Sequence, residues 1–584
     1  MKTTALYFLL LLQCYDVNGL RGVKSTHKQH GNATTTKMPT SLGQGNSAHR
    51  RTQKRRGNGH KAKAQKSRVG RWFIEYNDDE KKNKIKDRAS RVIKEFPGQN
   101  TLVVEISEYE RNRLSNENII TSSHQDAHVE ASGSFQRVLT DTRDLTERTS
   151  WGIKMIQADQ LELGPNPVKC CIIDTGYALG HPDLPTDLTG DDAVNKFGDV
   201  MKWDVDMNGH GTHIAGVISA LSNNDIGVKG AGDIPLHITR GLDDKSGGFE
   251  SDIIDAIDQC IKAGSKIINI SLGSSKMSPN AEATYTRAVN EDGVMIMAAA
   301  GNRGALMHEY PASHPDVISV AAVTESGKFW ERSNFSDQVE IAAPGHAILS
   351  TTTTLTAVHT SDFSWPVVQV AGSRSRGQRG TLIDCGLGDQ ACNAGLLGGG
   401  ICLMARDQLH LKQMVKNCVS GGGKGAIVFD AVDPTADSPM PWVINDLPVI
   451  LVSKEVGADL KLYVGSRVSI GYHESDEPEH TYAYFEGTSM AVPHVVSAAA
   501  LVWSHFPECS NHEIRYALAI SAADQENPGC DVDYGYGIVK AKDAYDWLSK
   551  QVLTQPCGSG TWGQPRQGGG CKTVAIDAVD EETI

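Results

Sequence analysis

The sequence of 584 residues predicts an α/β fold built on a doubly wound parallel sheet, with an α+β domain before it and a mostly β domain inserted into it. Two observations predict the sheet. Short apolar runs rich in β-branched residues alternate with helical stretches, as in parallel strands joined by crossover helices. The runs are also too continuous for half-exposed strands and suit a sheet buried on both faces. A third observation, the chain length, predicts three or four separate units.

The elements follow from these patterns. Strands of the central sheet are predicted at residues 168–173, 266–270, 294–299 and 317–320. Helices are predicted between them at residues 211–221, 250–263 and 281–292. The N-terminal domain is expected over residues 70–145, with strands at 72–76, 101–106 and 127–131 and helices at 82–96 and 108–119.

Residues 355–480 interrupt this alternation. They contain four cysteines and their own apolar runs, which predict strands at residues 366–370, 381–383, 400–404, 425–429 and 448–451. A segment of this size has to fold by itself, so we expect a separate domain inserted between residues 146–354 and 481–550.

Both ends of the chain differ from its body. Residues 1–19 have the pattern of a secretory signal, because Lys2 precedes an apolar run that is too short to cross a bilayer. Residues 20–69 are polar and basic and predict a disordered linker, and residues 551–584 form a Gly-rich tail. We therefore expect a secreted protein without a membrane span.

The charge is distributed unevenly. Residues 1–145 carry 26 Lys and Arg against 15 Asp and Glu, or +11, whereas the remainder carries 31 against 55, or −24. Residues 50–71 contain ten Lys or Arg, a density that can bind nucleic acid or an anionic surface. We favour a solvated linker instead, and no nucleic-acid partner. If the chain is cut near residue 145, salt should weaken the association of the two pieces.

Twelve cysteines agree with an oxidising compartment, and loss of Cys14 with the signal leaves eleven. The expected local pairs are Cys509 with Cys530 and Cys557 with Cys571. The cysteines of the inserted segment are expected to pair among themselves in one of three connectivities: Cys385, Cys392, Cys402 and Cys418. Of the remaining three, at least one is expected to be a buried free thiol: Cys170, Cys171 and Cys260.

Three short motifs contain the residue types of an activated serine. They centre on Asp174 in DTG, His210 in HGTH and Ser489 in GTSMA. A serine hydroxyl needs an adjacent base, so His210 would take its proton while Asp174 holds the imidazole in the correct tautomer. Asp174 ends a predicted strand, and the other two open predicted helices whose free N–H groups point toward the reacting centre. Pro493 is expected in the first turn of the second helix.

In the order Asp, His, Ser, these motifs resemble the subtilisin-like serine proteases, the subtilases of peptidase family S8. The strings SLG at 271–273 and AAAGN at 298–302 extend the resemblance over about residues 146–354 and 480–547. The resemblance implies a secreted, monomeric serine endopeptidase that acts on polypeptides and is made as a self-processing zymogen. Residues 70–145 would then be an inhibitory propeptide and residues 355–480 a protease-associated (PA) domain.

The resemblance also implies roles for individual residues. Asn302 would donate to the oxyanion together with the N–H of Ser489. Two extended segments would clamp substrate as an added strand: Ser246, Gly247 and Gly248 on one side, and Ser271, Leu272 and Gly273 on the other. The specificity pocket would be lined by Ala300, Gly301 and Glu309. Glu309 would favour Lys or Arg in the substrate, and Arg303 would oppose it.

A structural calcium ion is implied as well. Its oxygen ligands would come from Asp183, Ser222, Asn224, Ile226, Val228 and Glu147. Self-cleavage is expected near residues 145–146, with Arg143 and Arg148 as competing positions. Asn32 and Asn334 lie in glycosylation patterns. His213 and His494 are interpreted as structural histidines.

Two alternatives stay open. One is a convertase-like enzyme for limited processing at basic residues, which would need a deeply acidic pocket. The other is a catalytically silent homologue that binds polypeptides through the inserted domain, and its signature would be a missing member of the triad.

Overall fold

The structure is a computed structural model. It describes residues 69–132, 134–138, 146–194, 198–244, 246–354, 357–360, 364–366, 368–369, 377–392, 399–406, 411–430, 447–452, 454–470, 479–526 and 528–558. The described residues all belong to one compact unit. The predicted signal peptide, nearly all of the predicted linker and most of the C-terminal tail lie outside them.

Four antiparallel strands and two helices form the N-terminal sheet. They are β1 (Val69–Glu75), α1 (Asp79–Arg88), β2 (Arg91–Phe96), β3 (Thr101–Ser107), α2 (Glu108–Asn116) and β4 (Ser123–Gln125), with the strand order β2-β3-β1-β4. The side chains of Asp78 and Ser107 cap the two helices. The first helix was predicted to reach residue 96, but residues 91–96 pair with β3 instead.

The central region follows in the order that the sequence predicts. Its elements are β5 (His128–Ala131), β6 (Ser134–Val138), β7 (Arg148–Thr149), α3 (Trp151–Met155), β8 (Cys170–Asp174), β9 (Thr189–Asp191), β10 (Ala193–Val194), β11 (Val200–Met201), α4 (His210–Ser219), β12 (Val228–Lys229), β13 (Leu236–Arg240), β14 (Gly247–Phe249), α5 (Glu250–Lys262), β15 (Ile267–Ile270), β16 (Leu272–Gly273), α6 (Pro279–Asn290), β17 (Met295–Ala299), β18 (Ile318–Val323), β19 (Val339–Pro344) and β20 (Ile348–Thr354). Seven strands make one parallel sheet in the order β19-β18-β17-β15-β8-β13-β9. The predicted doubly wound α/β sheet is confirmed.

Helices cover both faces of this sheet. Along β8, Ile172 packs into the core that contains α4, whereas Ile173 packs into the core that contains α5 and α6. Adjacent strand residues point to opposite faces, so a strand buried on both sides needs apolar residues at every position. This explains the continuous apolar runs from which the sheet was predicted.

The inserted segment forms a second sheet of eight strands. Its elements are β21 (Ala357–His359), β22 (Ser364–Pro366), β23 (Val368–Gln369), β24 (Gln378–Asp384), β25 (Ile401–Arg406), α7 (Leu411–Ser420), β26 (Gly425–Asp430), β27 (Val449–Val452), α8 (Lys454–Lys461) and β28 (Arg467–Ile470). The strand order is β22-β21-β28-β24-β25-β26-β27-β23, and the sheet has its own apolar clusters.

The chain then returns to the central region through β29 (Glu479–Glu486), α9 (Thr488–His505), α10 (Asn511–Ile520) and α11 (Ala541–Gln551). β29 pairs antiparallel with β20, so the two ends of the inserted segment lie side by side. Within the described part of the chain, every helix is too short or too polar to cross a bilayer.

The disulfides confirm some of the predicted pairings and contradict others. Within the inserted segment the bonds are Cys385–Cys392 and Cys402–Cys418, one of the three expected connectivities. Cys171 bonds to Cys260, and Cys170 is the buried free thiol among the described cysteines. The predicted C-terminal pairs are wrong, because Cys509 bonds to Cys557 across the start of α10 and the end of α11. Proximity in sequence was a poor guide there, since the tertiary packing of α10 and α11 selects the partner.

Candidate active site

A buried aspartate and a buried histidine face each other at the carboxyl end of the parallel sheet. β8 ends at Asp174, and α4 begins at His210. The Nδ1 atom of His210 lies 2.8 Å from Oδ1 of Asp174, and both side chains are buried. Gly211 permits this approach, because a Cβ atom there would lie 2.3 Å from the carbonyl oxygen of Gly176. Two of the three predicted catalytic side chains are therefore in contact.

Asp206 ties together the two loops that carry this pair. Its Oδ1 accepts from the hydroxyl of Thr175 at 3.0 Å, and its Oδ2 accepts from the N–H and hydroxyl of Thr212 at 2.9 and 2.7 Å. Two more N–H groups before α4 also donate to it. The loop after Asp174 and the helix that begins at His210 thus share one buried carboxylate. Asp206 was not among the predicted site residues, although an acidic residue just before a helix start is a capping signal.

Ser489 lies in the first turn of α9 and is fully buried. Its hydroxyl donates to the carbonyl oxygen of Ser271 at 2.8 Å. Ser271 directly follows β15, in which Ile270 is paired with Ile173 of β8. The contact therefore brings Ser489 to the edge of the sheet at which Asp174 lies.

The hydroxyl of Ser489 and the imidazole of His210 are not hydrogen-bonded in this arrangement. Nε2 of His210 is buried and has no partner among the described atoms. The serine hydroxyl is engaged with Ser271 instead. The third predicted member is thus near the pair, with its hydroxyl turned to another acceptor.

Pro493 accounts for a second contact of Ser271. The proline lies inside α9, beyond the first turn where it was expected. Because proline has no N–H, the carbonyl oxygen of Ser489 lacks its helical donor. The hydroxyl of Ser271 donates to that oxygen at 3.0 Å, and Asn269 in turn donates to the hydroxyl at 2.9 Å. The helix start is thereby fixed against the end of β15.

Two donors converge on one carbonyl oxygen next to Ser489. The backbone N–H of Ser489 donates to the carbonyl oxygen of Ser132 at 3.1 Å, and Nδ2 of Asn302 donates to the same oxygen at 2.5 Å. The orientation of the Asn302 amide is fixed, because its Oδ1 accepts from the N–H and the hydroxyl of Thr488 at 2.9 and 2.8 Å. These are the two groups that the sequence predicted as oxyanion donors.

The cleft segment, residues 128–132, runs between the two predicted substrate clamps. β5 pairs antiparallel with β14 on one side and with β16 on the other. The N–H of Ala131 donates to the carbonyl of Ser246, and the N–H of Ser132 donates to the carbonyl of Ser271, both at 3.0 Å. The two clamps thus hold a piece of the chain itself as the middle strand of a three-stranded sheet.

Glu309 is a buried carboxylate between the two glycine-containing walls of this cleft. A Cβ atom on Gly301 would lie 1.7 Å from Oε2 of Glu309, and one on Gly273 would lie 3.0 Å from its Cγ. Burial raises the pKa of Glu309, and the guanidinium of Arg303, 3.7 Å away, opposes that rise in pKa. The predicted pocket residues therefore lie together.

Asn334 is a pocket residue that the sequence analysis misassigned. Its Nδ2 donates to the carbonyl of Ala300 at 3.0 Å and to Oε2 of Glu309 at 3.3 Å, while its Oδ1 accepts from the N–H of Arg303 at 2.8 Å. The side chain is 1% exposed. By its sequence pattern Asn334 would be a glycosylation acceptor in a eukaryotic host, but every polar atom of its amide is engaged inside the folded protein.

His213 and His494 are buried in the helices that carry the site. Burial lowers the pKa of His213 to about 3 and that of His494 to about 4. Nε2 of His213 lies 3.0 Å from two carbonyl oxygens, and its ring stacks on Phe485. Both histidines are neutral packing residues, as interpreted from the sequence.

The predicted calcium ligands gather at one loop. Oδ1 of Asp183 accepts from Nδ2 of Asn224 at 2.7 Å, and its Oδ2 accepts from the N–H of Val228 at 2.8 Å. The carboxylate of Glu147 accepts from the N–H of Asn223 at 2.6 Å. Ser222 and Ile226 belong to the same loop, and the N–H of Ile226 donates to Oδ1 of Asn224 at 3.1 Å.

The sheet and the site together define a class of protein. Its members have a doubly wound α/β fold. At one edge of the parallel sheet, this fold places an aspartate–histidine pair, a serine at a helix start and two donors that converge on one carbonyl oxygen. The chain belongs to the subtilase family: the family model described as "Subtilase family" matches residues 166–371 and 445–537.

Individual relatives agree with this assignment. The chain is 34% identical over 237 residues to the thermostable alkaline protease of Halalkalibacterium halodurans, covering 39% of this chain and 62% of that protein. It is 34% identical over 235 residues to subtilisin DY of Bacillus licheniformis, covering 38% of this chain and 82% of that protein. It is 36% identical over 211 residues to a thermophilic serine proteinase of Bacillus sp., covering 36% of this chain and 51% of that protein. The match thus spans about half to three fifths of two of these relatives.

A solved structure shares the fold. The crystal structure of fervidolysin from Fervidobacterium pennivorans, described as a keratinolytic enzyme related to subtilisin, matches with a TM-score of 0.52 at 20% identity. The match covers 82% of this chain and 61% of that chain. At this level of identity, the likeness concerns the fold alone.

Proposed function

We propose that the chain is a secreted serine endopeptidase in which Ser489 is the nucleophile, His210 the general base and acid, and Asp174 the group that orients the imidazole. One observation carries the proposal: a peptide carbonyl oxygen, that of Ser132, accepts from both the N–H of Ser489 and the amide of Asn302. A carbonyl that receives two donors beside a serine is positioned for acyl transfer.

The proposed reaction uses these groups in order. The Ser489 hydroxyl turns from Ser271 to Nε2 of His210, the buried atom that has no other partner, and loses its proton to that nitrogen as it attacks the carbonyl carbon. Negative charge develops on the carbonyl oxygen and is stabilised by the two donors. His210 then returns the proton to the leaving amine, and the C–N bond breaks to leave an acyl-serine. Water, deprotonated by His210, hydrolyses that ester.

Covalent labelling tests the assignment of the nucleophile. A fluorophosphonate probe should label the chain after self-processing, because it phosphonylates only a serine activated by a base. Ser489→Ala should abolish the label. Ser497→Ala, which removes a buried hydroxyl from the same helix, should retain it. Labelling that survives in Ser489→Ala would refute the assignment.

We also propose that the N-terminal sheet is an inhibitory propeptide and that the first self-cleavage occurs at the Ser132–Gly133 bond. The oxygen between the two donors belongs to Ser132, so the bond after it is the one presented to Ser489. This bond lies N-terminal to the position near residues 145–146 that the sequence indicated. The cleft segment then stays behind as the C-terminal end of the propeptide.

Contacts of the N-terminal sheet support this role. Asp126 accepts from the N–H and the hydroxyl of Ser251, at 3.1 and 2.8 Å, in the first turn of α5. Arg71 lies 2.6 Å from Asp126 and contacts the same hydroxyl at 2.6 Å. Lys94 pairs with Asp255 of α5 at 2.9 Å. A carboxylate from one domain thus caps a helix of the other, and basic residues meet acidic ones, so salt should weaken this docking.

Broad specificity with tolerance for basic residues is proposed from the position of Glu309. We expect Glu309→Gln to lower the ratio of kcat/KM for Lys over Leu, at the residue before the cut, by about tenfold or more, the usual size of a hydrogen bond to a charged group. The exposed Glu325→Gln is the matched control. The preference for Lys should also fade as pH drops through the raised pKa of Glu309, because the carboxyl becomes neutral. An unchanged Lys/Leu ratio in the Gln variant would contradict the proposal.

Neither of the alternative functions is favoured by a specific observation. Limited convertase-like processing would need more acidic groups in the pocket than Glu309, whose charge Arg303 partly offsets. A silent binding protein would lack one of the reactive groups, and Asp174, His210 and Ser489 are all present. We further propose that the inserted segment is a PA-like domain and that the chain acts as a monomer.

A structural calcium ion is proposed at the loop of Asp183. This carboxylate is fully buried, burial raises its pKa to about 6, and its hydrogen-bond partners Asn224 and Val228 are neutral. A buried negative charge with neutral partners, beside a second carboxylate from Glu147 and several carbonyls, suits a hard cation with oxygen ligands. The ion would fasten this loop to the start of the central region.

Chelation is expected to lower the melting temperature. Removal of an ion held at about one hundred times its Kd costs about 2.7 kcal/mol, which corresponds to a shift of roughly 2–5 °C for a protein of this size. Asp183→Asn should abolish the response to EDTA, whereas the exposed Asp233→Asn should keep it. Thermal unfolding with and without EDTA is the measurement, and equal melting temperatures would rule out the site.

A further inference from the structure

The strand that leads to Ser489 is paired on both edges. β29 lies between β20 and β6 in a three-stranded sheet. On the β6 side the pairs are Ala483 with Val138, Tyr484 with Arg137, Phe485 with Phe135 and Glu486 with Ser134, and the register shifts between Tyr484 and Phe485, so that residue 136 is an extra residue of β6. The edge paired with β20 is part of the fold that remains after any cut near residues 132–146, because β20 and β29 lie immediately before and after the inserted segment and pair with each other. The second edge is occupied by β6, a short strand that precedes the seven-stranded sheet in the chain.

That short strand continues the cleft segment. β5 ends at Ala131, the carbonyl of Ser132 lies between the two donors, and β6 begins at Ser134. If the bond after Ser132 is the one that is cut, Ser134 is the second residue after the cut and Val138 is the sixth. The residues on both sides of the bond therefore lie as added strands, first between β14 and β16 and then along β29.

We propose that the outer edge of β29, from Ala483 to Glu486, binds the six residues after the cut as an antiparallel strand, and that residues 134–138 fill this edge in the self-cleaved chain. The inference rests on the proposed endopeptidase function. Strand addition recognises backbone N–H and C=O groups, so the preferred substrate is an extended polypeptide of varied sequence. β6 also lies against β23, so the inserted domain flanks the far end of this edge.

The chain's own strand is a strong competitor because it stays tethered. After a cut behind Ser132, residues 134–138 remain joined to β7, which pairs with β12 of the central region. A short tether gives an effective concentration in the millimolar range. A substrate that extends beyond the cut must displace this strand, whereas one that ends at the cut does not.

A series of substrates with one common sequence before the cut tests the proposal. The members carry a p-nitroanilide, or two, four or six residues after the cut. The double variant Phe135→Pro with Arg137→Pro lacks two N–H groups of the competing strand. In this variant, kcat/KM should increase with the number of substrate residues after the cut, up to six, by about threefold to tenfold for each hydrogen bond gained. In the unaltered chain, kcat/KM for the p-nitroanilide should match that of the variant, and the long peptides should be cut more slowly.

N-methylation of the substrate backbone gives an independent measurement on the unaltered enzyme, should the double variant fail to process itself. In a paired antiparallel strand, the backbone N–H and C=O groups of successive residues point alternately toward the partner strand and away from it. Because β6 has an extra residue at position 136, the fourth after the cut, N-methylation should lower kcat/KM at alternate positions on either side of the fourth residue, up to the sixth, and the alternation should be interrupted at the fourth. A gain that stops at the second residue, or a scan without alternation, would overturn the proposal. Failure of the endopeptidase function would look different, because no member of the series would be hydrolysed.

Discussion

The Ser489→Ala chain is expected to accumulate with residues 69–132 still joined to the rest, whereas the unaltered chain should be recovered with Gly133 as its new N-terminal residue. The physical reason is that the variant keeps the cleft segment between its clamps but has no hydroxyl to attack the Ser132 carbonyl. Turnover of peptide substrates should fall by roughly 10⁶-fold, as expected when a nucleophile is removed from residues that act as one unit. N-terminal sequencing and mass spectrometry of the secreted product measure the first outcome, and steady-state kinetics measure the second.

The matched control is Ser497→Ala, which should be cut as the unaltered chain is. A Ser489→Ala chain that still begins at Gly133 would mean that another protease makes the cut. If the unaltered chain is instead cut near residues 145–146, its N-terminal fragment will extend beyond residue 132 and its mature part will begin near residue 146. That result would show that the first cut is at the position indicated by the sequence. Either result would separate the choice of bond from the proposed function, because activity can persist in both cases.

Asn302→Ala should lower kcat by about 10² to 10³-fold with little change in KM. The amide donates to the carbonyl oxygen of Ser132, and the bond strengthens as that oxygen gains negative charge, so its loss is felt mainly in the transition state. The variant should still label with a fluorophosphonate, more slowly than the unaltered enzyme. Steady-state kinetics on a p-nitroanilide substrate are the measurement.

Thr488→Val provides a graded comparison at the same place. It keeps the shape of the side chain and removes the hydroxyl, which donates to Oδ1 of Asn302 and also accepts from the N–H of Gly301 at 3.1 Å. The amide keeps its bond from the backbone N–H of Thr488, so we expect a loss of about threefold to tenfold in kcat. If Asn302→Ala were no worse than Thr488→Val, the amide would not be an oxyanion donor.

Much of the site could be predicted because its parts are local. Asp174 follows an apolar strand, and His210 and Ser489 each begin a helix, so each motif carries its own position in the fold. The parallel sheet could be predicted for the same reason, since burial on both faces requires a continuous run of apolar residues in each strand. These features depend on neighbours in sequence.

Other features could not be predicted because they depend on partners far away in the chain. Asp206, the Asn334 amide and the Cys509–Cys557 bond all join residues from different elements. For the last two of these, the local patterns pointed elsewhere, to a glycosylation site and to a nearer cysteine. The cut near residues 145–146 stays a prediction beside the proposed cut after Ser132; it came from the likeness of the central region's start to the family, which contains no information on which peptide lies in the cleft.

By itself, the sequence determined the fold class of the central region and singled out Asp174, His210 and Ser489 as candidate reactive groups, because hydrophobic periodicity and helix-start motifs depend on adjacent residues. Only the tertiary structure decided that Ser132 presents its carbonyl to Ser489 and Asn302, and that residues 134–138 complete the sheet of β29. Those contacts arise when separate strands find a common edge, and the energies that align them are spread over many backbone hydrogen bonds rather than any single motif.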